Sequence, residues 1–114
     1  MIKLIATDMD GTLLTSEKKF PPHMFNIIDQ LHEREIKFAV ASGRQYYTLL
    51  KDFKSVKDEV TFICENGALV FDKGENIFCD AMAYEDIVKL IEMIRQIKNA
   101  YPILCGVESA YIED

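Results

Sequence analysis

The first apolar run of the chain, residues 2–7, is nearly continuous and leads directly into two aspartates, Asp8 and Asp10. A run this short and apolar is typical of a strand that is buried on both faces, as the strands of parallel sheets are. Side chains alternate along a strand, so the two carboxylates project the same way. Like charges held this close repel each other, and we expect a cation or a reaction to use them. Gly11 follows and permits a sharp turn.

Strands and helices alternate along the rest of the sequence. Apolar periodicity predicts helices that follow Pro21-Pro22 and cover 46–53 and 84–99, strands over 36–41, 60–64 and 102–107, and a hairpin over 68–72 and 76–81. Two successive β-α-β units imply a parallel sheet with right-handed crossovers. Ligands of such sheets bind outside the carboxyl ends of the strands.

Three short polar motifs follow the first three predicted strands and therefore belong to that edge. They are Asp8–Thr12, Ser42–Arg44 and Glu65–Gly67. Taken alone, Ser42 is most simply the N-cap of the next helix, and Glu65–Gly67 is most simply the turn into the hairpin. Their placement together at one edge favours a functional site.

Composition excludes several classes of function. The chain has 114 residues, one ordinary domain at most, and a net charge of −6 from 13 basic and 19 acidic residues. It has no basic stripe that would indicate a nucleic-acid partner, no apolar stretch long enough for a membrane, and no signal-peptide pattern. Cys64, Cys79 and Cys105 are widely spaced, which favours buried thiols over a zinc site. We therefore expect a cytoplasmic protein.

With these motifs in this order, the chain resembles the haloacid dehalogenase superfamily and, more narrowly, is similar to the Cof-type sugar-phosphate phosphatases. The matching residues are Asp8–Leu14, Ala41–Arg44 and Glu65–Ala68. The resemblance implies an α/β fold with a Rossmann-like parallel-sheet core over residues 1–82, truncated, followed by the beginning of an α/β cap domain over residues 83–114.

The resemblance also implies a reaction, the Mg²⁺-dependent hydrolysis of a phosphomonoester through an aspartyl-phosphate intermediate. The substrate would be a sugar phosphate or a similar small phosphorylated metabolite. Asp8 would be the nucleophile, and Asp10 the acid and base. Mg²⁺ would be held by the Asp8 carboxylate and the Asp10 carbonyl oxygen. Thr12 would lie at the phosphate site and orient the side chain of Asp10.

The second and third motifs would supply the rest of the site. Ser42 would offer its hydroxyl, and Gly43 its backbone N–H, to the phosphoryl oxygens at a helix N-terminus. Arg44 either helps to shape the phosphate site or lies on the helix surface. Gly11 and Asn66 would support the site, with Asn66 organising the hairpin.

Two of the family's motifs, a lysine and an acidic pair preceded by Gly-Asp, are absent from these 114 residues. We therefore expect a chain that ends inside the cap and lacks part of the catalytic machinery. The alternative to a phosphatase is a truncated, non-catalytic domain that binds ligands or self-associates. Residues 2–7 would form a free sheet edge, so we expect a homo-oligomer through that edge or through the partial cap.

Overall fold

The computed structural model describes residues 1–113. The helices and strands in chain order are β1 Leu4–Asp8, α1 Met24–Glu33, β2 Lys37–Ala41, α2 Tyr46–Asp52, β3 Val60–Cys64, β4 Leu69–Asp72, β5 Glu75–Cys79, α3 Tyr84–Arg95, β6 Ile103–Cys105 and β7 Ala110–Ile112. The chain divides into two compact units, Met1–Cys79 and a second unit from Asp80 onward. That the second unit is the beginning of a cap domain stays a prediction.

The first unit is built on one five-stranded sheet in which the strands follow their sequence order, β1-β2-β3-β4-β5. The first three strands are parallel and are joined through α1 and α2. The last three are antiparallel neighbours joined by tight connections. This arrangement confirms the predicted α/β class with a Rossmann-like parallel core and the predicted hairpin.

The core of this unit lies around β2, β3 and an aromatic cluster. Val40 and Phe62 are buried in neighbouring strands, opposite each other in the register. Phe53, just after α2, is fully buried, and its ring centroid lies 5.1 Å from that of Phe20 and 5.8 Å from that of Phe62. Edge-to-face contacts of this kind add to the stabilisation from apolar burial. The core therefore fixes the two strands whose ends carry the second and third motifs.

Strand β1 is more exposed than its sequence predicts. Leu4 keeps 55% and Ile5 36% of their surface exposed, so the expectation of burial on both faces is wrong for these residues. The reason is that β1 pairs with β2 alone within residues 1–113. The Lys37 N–H donates to the Lys3 carbonyl at 2.9 Å, and hydrogen-bonding groups alternate along a strand. The backbone groups of Leu4 and Ala6 therefore face a free edge.

The second unit contains α3 and the antiparallel hairpin of β6 and β7, in which Ile103 lies opposite Ile112. Helix α3 begins at Tyr84 as predicted but ends at Arg95, four residues before the predicted end. The Arg95 side chain forms an ion pair with Glu113. No α-helix among residues 1–113 combines the length and apolar character that crossing a membrane would require.

Candidate active site

The carboxyl ends of β1, β2 and β3 enclose a pocket of about 270 Å³ that collects residues from all three motifs. It is lined by Asp8, Ala41, Ser42, Gly43, Ile63, Asn66 and Gly67. These residues come from three separate stretches of the sequence, and the parallel pairing of the strands brings them together. The pocket lies where a sheet of this topology is expected to bind a ligand.

The chain leaves β1 through a tight turn in which the Leu14 N–H donates to the Met9 carbonyl at 2.9 Å. Met9 is fully buried and anchors the turn in the core, while Asp8 and Asp10 on either side of it are exposed. Gly11 has a φ of +75°, a left-handed conformation that a residue with a Cβ adopts only with strain. This turn is how the sequence presents two carboxylates on the surface beside a buried methionine.

Thr12 contacts a different carboxylate from the one expected. Its hydroxyl lies 3.5 Å from Oδ2 of Asp8, a long and weak hydrogen bond, instead of orienting Asp10. The tight turn brings Thr12 back toward the residue four positions earlier, and this explains the difference. Thr12 does not belong to the lining of the pocket given above.

Arg44 lies between two carboxylates. Its Nη2 is 3.0 Å from Oδ1 and 3.2 Å from Oδ2 of Asp10, and its Nη1 is 3.3 Å from Oδ2 of Asp52. The structure thus brings Arg44 to the first motif, which favours a site residue over a residue on a helix surface. Asp52, at the end of α2, was not predicted, and nothing in the local sequence distinguishes it from an exposed helix-end aspartate.

The expected helix N-terminus at Ser42 and Gly43 is wrong. Helix α2 begins at Tyr46, after Gln45, so residues 42–44 form a loop that precedes it. The Ser42 hydroxyl accepts a hydrogen bond from the Arg44 N–H at 3.1 Å, a local turn that competes with helix capping. Ser42 and Gly43 therefore line the pocket as part of a loop and not as the N-terminus of a helix.

Backbone hydrogen bonds tie this loop to the third motif. The Ser42 N–H donates to the Ile63 carbonyl at 2.9 Å, the Asn66 N–H to the Ser42 carbonyl at 3.1 Å, and the Glu65 N–H to the Arg44 carbonyl at 3.1 Å. The pairing of β2 with β3 therefore continues beyond the strand ends. Asn66 has a φ of +56°, a conformation that asparagine tolerates better than most residues.

The cysteines differ from the prediction of three buried thiols. Cys64, at the end of β3, is fully buried, but Cys79 and Cys105 are exposed. Burial, with a smaller contribution from the Glu65 carboxylate, raises the pKa of the Cys64 thiol to about 11. Cys64 is therefore neutral at physiological pH and is no candidate for a nucleophile. Within residues 1–113, no three His, Cys, Asp or Glu side chains cluster as metal ligands would.

A larger depression of about 390 Å³ lies at the opposite end of these strands, and its lining includes His32, Lys37, Glu59 and Asp72. The Lys37 ammonium lies 3.5 Å from Asp72. The pKa of the Glu59 carboxyl is raised, mainly by burial. None of the three motifs reaches this depression, and we regard the smaller pocket as the candidate active site.

Comparison with known proteins identifies the family of this chain. The sequence profile of a family described as haloacid dehalogenase-like hydrolases matches residues 5–114. The chain belongs to this family. A protein from Streptococcus mutans, SMU.1108c, has a crystal structure that matches the fold with a TM-score of 0.85 at 36% identity, over 98% of this chain and 43% of that one. The family membership and the fold expected from the motifs are thereby confirmed.

Curated relatives of this haloacid dehalogenase-like chain include named phosphatases. A 5-amino-6-(5-phospho-D-ribitylamino)uracil phosphatase of Escherichia coli is 36% identical over 111 residues, which are 96% of this chain and 41% of that protein. The phosphatase YwpJ of Bacillus subtilis is 31% identical over 108 residues, 95% of this chain and 34% of that protein. The chain thus spans about two fifths of the length of these relatives or less.

Proposed function

We propose that this chain carries the nucleophile, the acid-base carboxylate and the phosphate-binding loop of a Mg²⁺-dependent phosphomonoester hydrolase that acts through an aspartyl-phosphate. The observation that supports this most is the pocket that Asp8 shares with Ser42 and Gly43. A carboxylate beside a hydroxyl and a glycine N–H suits attack on a phosphoryl group. The phosphatase names of the relatives support the same reaction.

In this proposal the Asp8 carboxylate attacks phosphorus, and a new O–P bond forms as the bond from phosphorus to the leaving oxygen breaks. Asp10 donates a proton to that oxygen and then takes one from the water that hydrolyses the aspartyl-phosphate. Asp8 suits the role of nucleophile because it is exposed at the pocket and, within residues 1–113, has no ion-pair partner. Arg44 contacts the Asp10 carboxylate and would hold it in place between the two proton transfers.

The phosphoryl oxygens would be bound by the second motif. The Ser42 oxygen already accepts the Arg44 N–H, which leaves the Ser42 hydroxyl proton free to donate to a ligand. The Gly43 N–H would supply a second donor. We propose that the substrates are small phosphorylated metabolites. We also propose that the protein works in the cytoplasm, because an exposed thiol such as that of Cys79 stays reduced there.

The donor set fits Mg²⁺, which prefers oxygen ligands and keeps several of its waters. The Asp8 carboxylate and the Asp10 carbonyl would be its protein ligands. When bound, the ion would offset the repulsion between the Asp8 carboxylate and a phosphate dianion.

The experiment compares the wild type with Asp8→Asn for hydrolysis of p-nitrophenyl phosphate in Mg²⁺ and for a beryllofluoride adduct detected by ¹⁹F NMR. Asp86→Asn is the matched control, because Asp86 lies in the first turn of α3 and is exposed. We expect Asp8→Asn to lose both signals and Asp86→Asn to keep them. Full turnover by Asp8→Asn would show that Asp8 is not the nucleophile.

A second candidate function is a non-catalytic domain that self-associates through the first-strand edge or the partial cap. The observation that favours it is the free edge of β1 with its exposed Leu4 and Ile5. Such an edge can pair with a strand of another chain. An oligomer that shows no Asp8-dependent adduct or turnover would favour this candidate over the phosphatase.

A further inference from the structure

The backbone conformation of Gly43 does not explain why this residue is a glycine. Its φ angle lies outside the left-handed region, so residues with a Cβ could adopt the same conformation. A Cβ built at this position, however, would lie 2.9 Å from Oδ1 and 3.4 Å from Nδ2 of Asn66. The side chain of Asn66 therefore occupies the space that a Cβ at residue 43 would need.

The backbone of Asn66 is held in place, while its side chain is exposed. Its N–H donates to the Ser42 carbonyl at 3.1 Å, and the preceding N–H, of Glu65, donates to the Arg44 carbonyl at 3.1 Å. Two backbone hydrogen bonds thus flank Gly43, and the Asn66 amide lies against it between them. Both residues also line the pocket that contains Asp8.

We propose that Asn66 is a positioning residue for the phosphate-binding loop: its side-chain amide packs on Gly43 and holds the Gly43 N–H directed at the pocket. This rests on the proposed function, since it assigns that N–H to the phosphoryl oxygens. The Asn66 N–H already holds the Ser42–Gly43 peptide through the Ser42 carbonyl, and the side-chain amide restricts the motion that remains at Gly43, so that this donor stays preorganised. Asn66 acts here through Gly43 and not on the reacting atoms.

The first test is a double-mutant cycle of wild type, Gly43→Ala, Asn66→Gly and the double variant. Glycine tolerates the positive φ of residue 66, so Asn66→Gly removes the side chain without straining the backbone. We expect Gly43→Ala to lower the Tm by a few degrees at most in the wild type and by clearly less in the Asn66→Gly background. We also expect faster hydrogen exchange of the Gly43 amide in Asn66→Gly. Equal Tm changes in both backgrounds, or an unchanged exchange rate, would overturn the proposal.

The second test titrates inorganic phosphate in the presence of Mg²⁺ and follows the Gly43 amide in ¹H–¹⁵N spectra. The apparent Kd for phosphate is obtained from the shift of the Gly43 amide signal. Asn66→Gly should raise this Kd by about tenfold. Asn66→Asp keeps the shape against Gly43, so it should retain the Tm change caused by Gly43→Ala, while its charge weakens phosphate binding. Unchanged phosphate affinity in Asn66→Gly would overturn the positioning role. A wild type without any phosphate response would contradict the proposed function instead, and the cycle would still decide the packing of Asn66 on Gly43.

Discussion

The Arg44 guanidinium contacts both carboxylate oxygens of Asp10 through one nitrogen, at 3.0 and 3.2 Å, and Asp52 through the other, at 3.3 Å. Asp10 keeps 59% of its side chain exposed, and ion pairs that exposed contribute at most about 1 kcal/mol to stability. The contact therefore matters more for where it holds Asp10 than for the free energy of unfolding. An acid-base carboxylate is effective when it is held within reach of the proton it transfers.

Replacing Arg44 should lower the rate of hydrolysis while leaving the stability of the fold nearly unchanged. We expect Arg44→Gln to lower p-nitrophenyl phosphate hydrolysis by about 10²-fold, because it removes both contacts to Asp10, with little change in Tm. Arg44→Lys should restore the rate only in part, since an ammonium cannot span Asp10 and Asp52 as the two nitrogens of Arg44 do. Arg34→Gln, at the end of α1, is the control. A full rate in Arg44→Gln would show that Asp10 needs no such partner.

Mg²⁺ binding should be weak. Within the proposed donor set, Asp8 supplies one carboxylate and Asp10 one carbonyl, and water would complete the octahedral shell. We expect calorimetry to show a low affinity that Asp8→Asn lowers further. Tight, stoichiometric binding by the monomer would contradict this and would indicate a ligand outside the proposed set.

The aromatic core predicts a large cost for one truncation. Phe53 is fully buried, and its ring lies 5.1 Å from Phe20 and 6.2 Å from Phe25 by ring centroids. Phe53→Ala should lower the free energy of unfolding by about 3–5 kcal/mol, measured by urea denaturation. Phe78→Ala removes a ring that is 51% exposed on β5 and should change stability much less. Similar losses for the two variants would mean that Phe53 does not anchor the core.

Much of the fold could be predicted from local sequence patterns. Strand β3 covers Val60–Cys64 as expected, because its apolar run is bounded by polar residues at both ends. The meeting of the three motifs at one edge followed from the rule that the carboxyl ends of parallel strands lie side by side. These features depend on periodicity and topology, which a single sequence contains.

What could not be predicted depends on contacts between distant residues or on missing neighbours. The exposure of Leu4 reflects which strands lie beside β1: the apolar run alone predicted burial on both faces, whereas the free edge was expected only from the resemblance. Arg44 and Asp52 are eight residues apart, and the path of the loop and of helix α2 brings their side chains together. The start of α2 at Tyr46 differs from the expected N-cap because the Ser42 hydroxyl is used by a local turn. Strand β7 was not predicted, and β6, which is equally short, is shorter than the strand predicted over 102–107.

The buried Cys64 predicts a loss of stability at alkaline pH. Its pKa rises from 9.0 to about 11 on folding, so the unfolded chain releases the thiol proton more readily than the folded one. The contribution is fully present below pH 9 and is lost as the pH rises toward 11, at up to about 1.4 kcal/mol per pH unit. We expect Cys64→Ala to show a flatter stability profile than the wild type between these values. Parallel profiles would contradict the prediction, and Cys79→Ala is the exposed control.

The free edge of β1 predicts self-association. The backbone groups of Leu4 and Ala6 face that edge, and Ile5 adds an exposed apolar side chain. Edge strands of soluble proteins are commonly protected by charges, and the segment 2–7 carries one, Lys3. We expect the wild type to sediment as a dimer or larger assembly at micromolar concentration, and Ile5→Lys to shift it toward the monomer.

Strand β5 is the other edge of the same sheet, and its Ile77 is 60% exposed, so Ile77→Lys tests whether the association uses β1 or β5. If β1 is the contact, Ile77→Lys should sediment like the wild type, and the amides of residues 2–7 should exchange slowly, because pairing with a second strand would protect their outward N–H groups. A monomeric wild type with fast exchange over residues 2–7 would rule out the β1 contact. The edge would then be a surface that this chain leaves unpaired in solution, and the second candidate function would lose the observation that favours it.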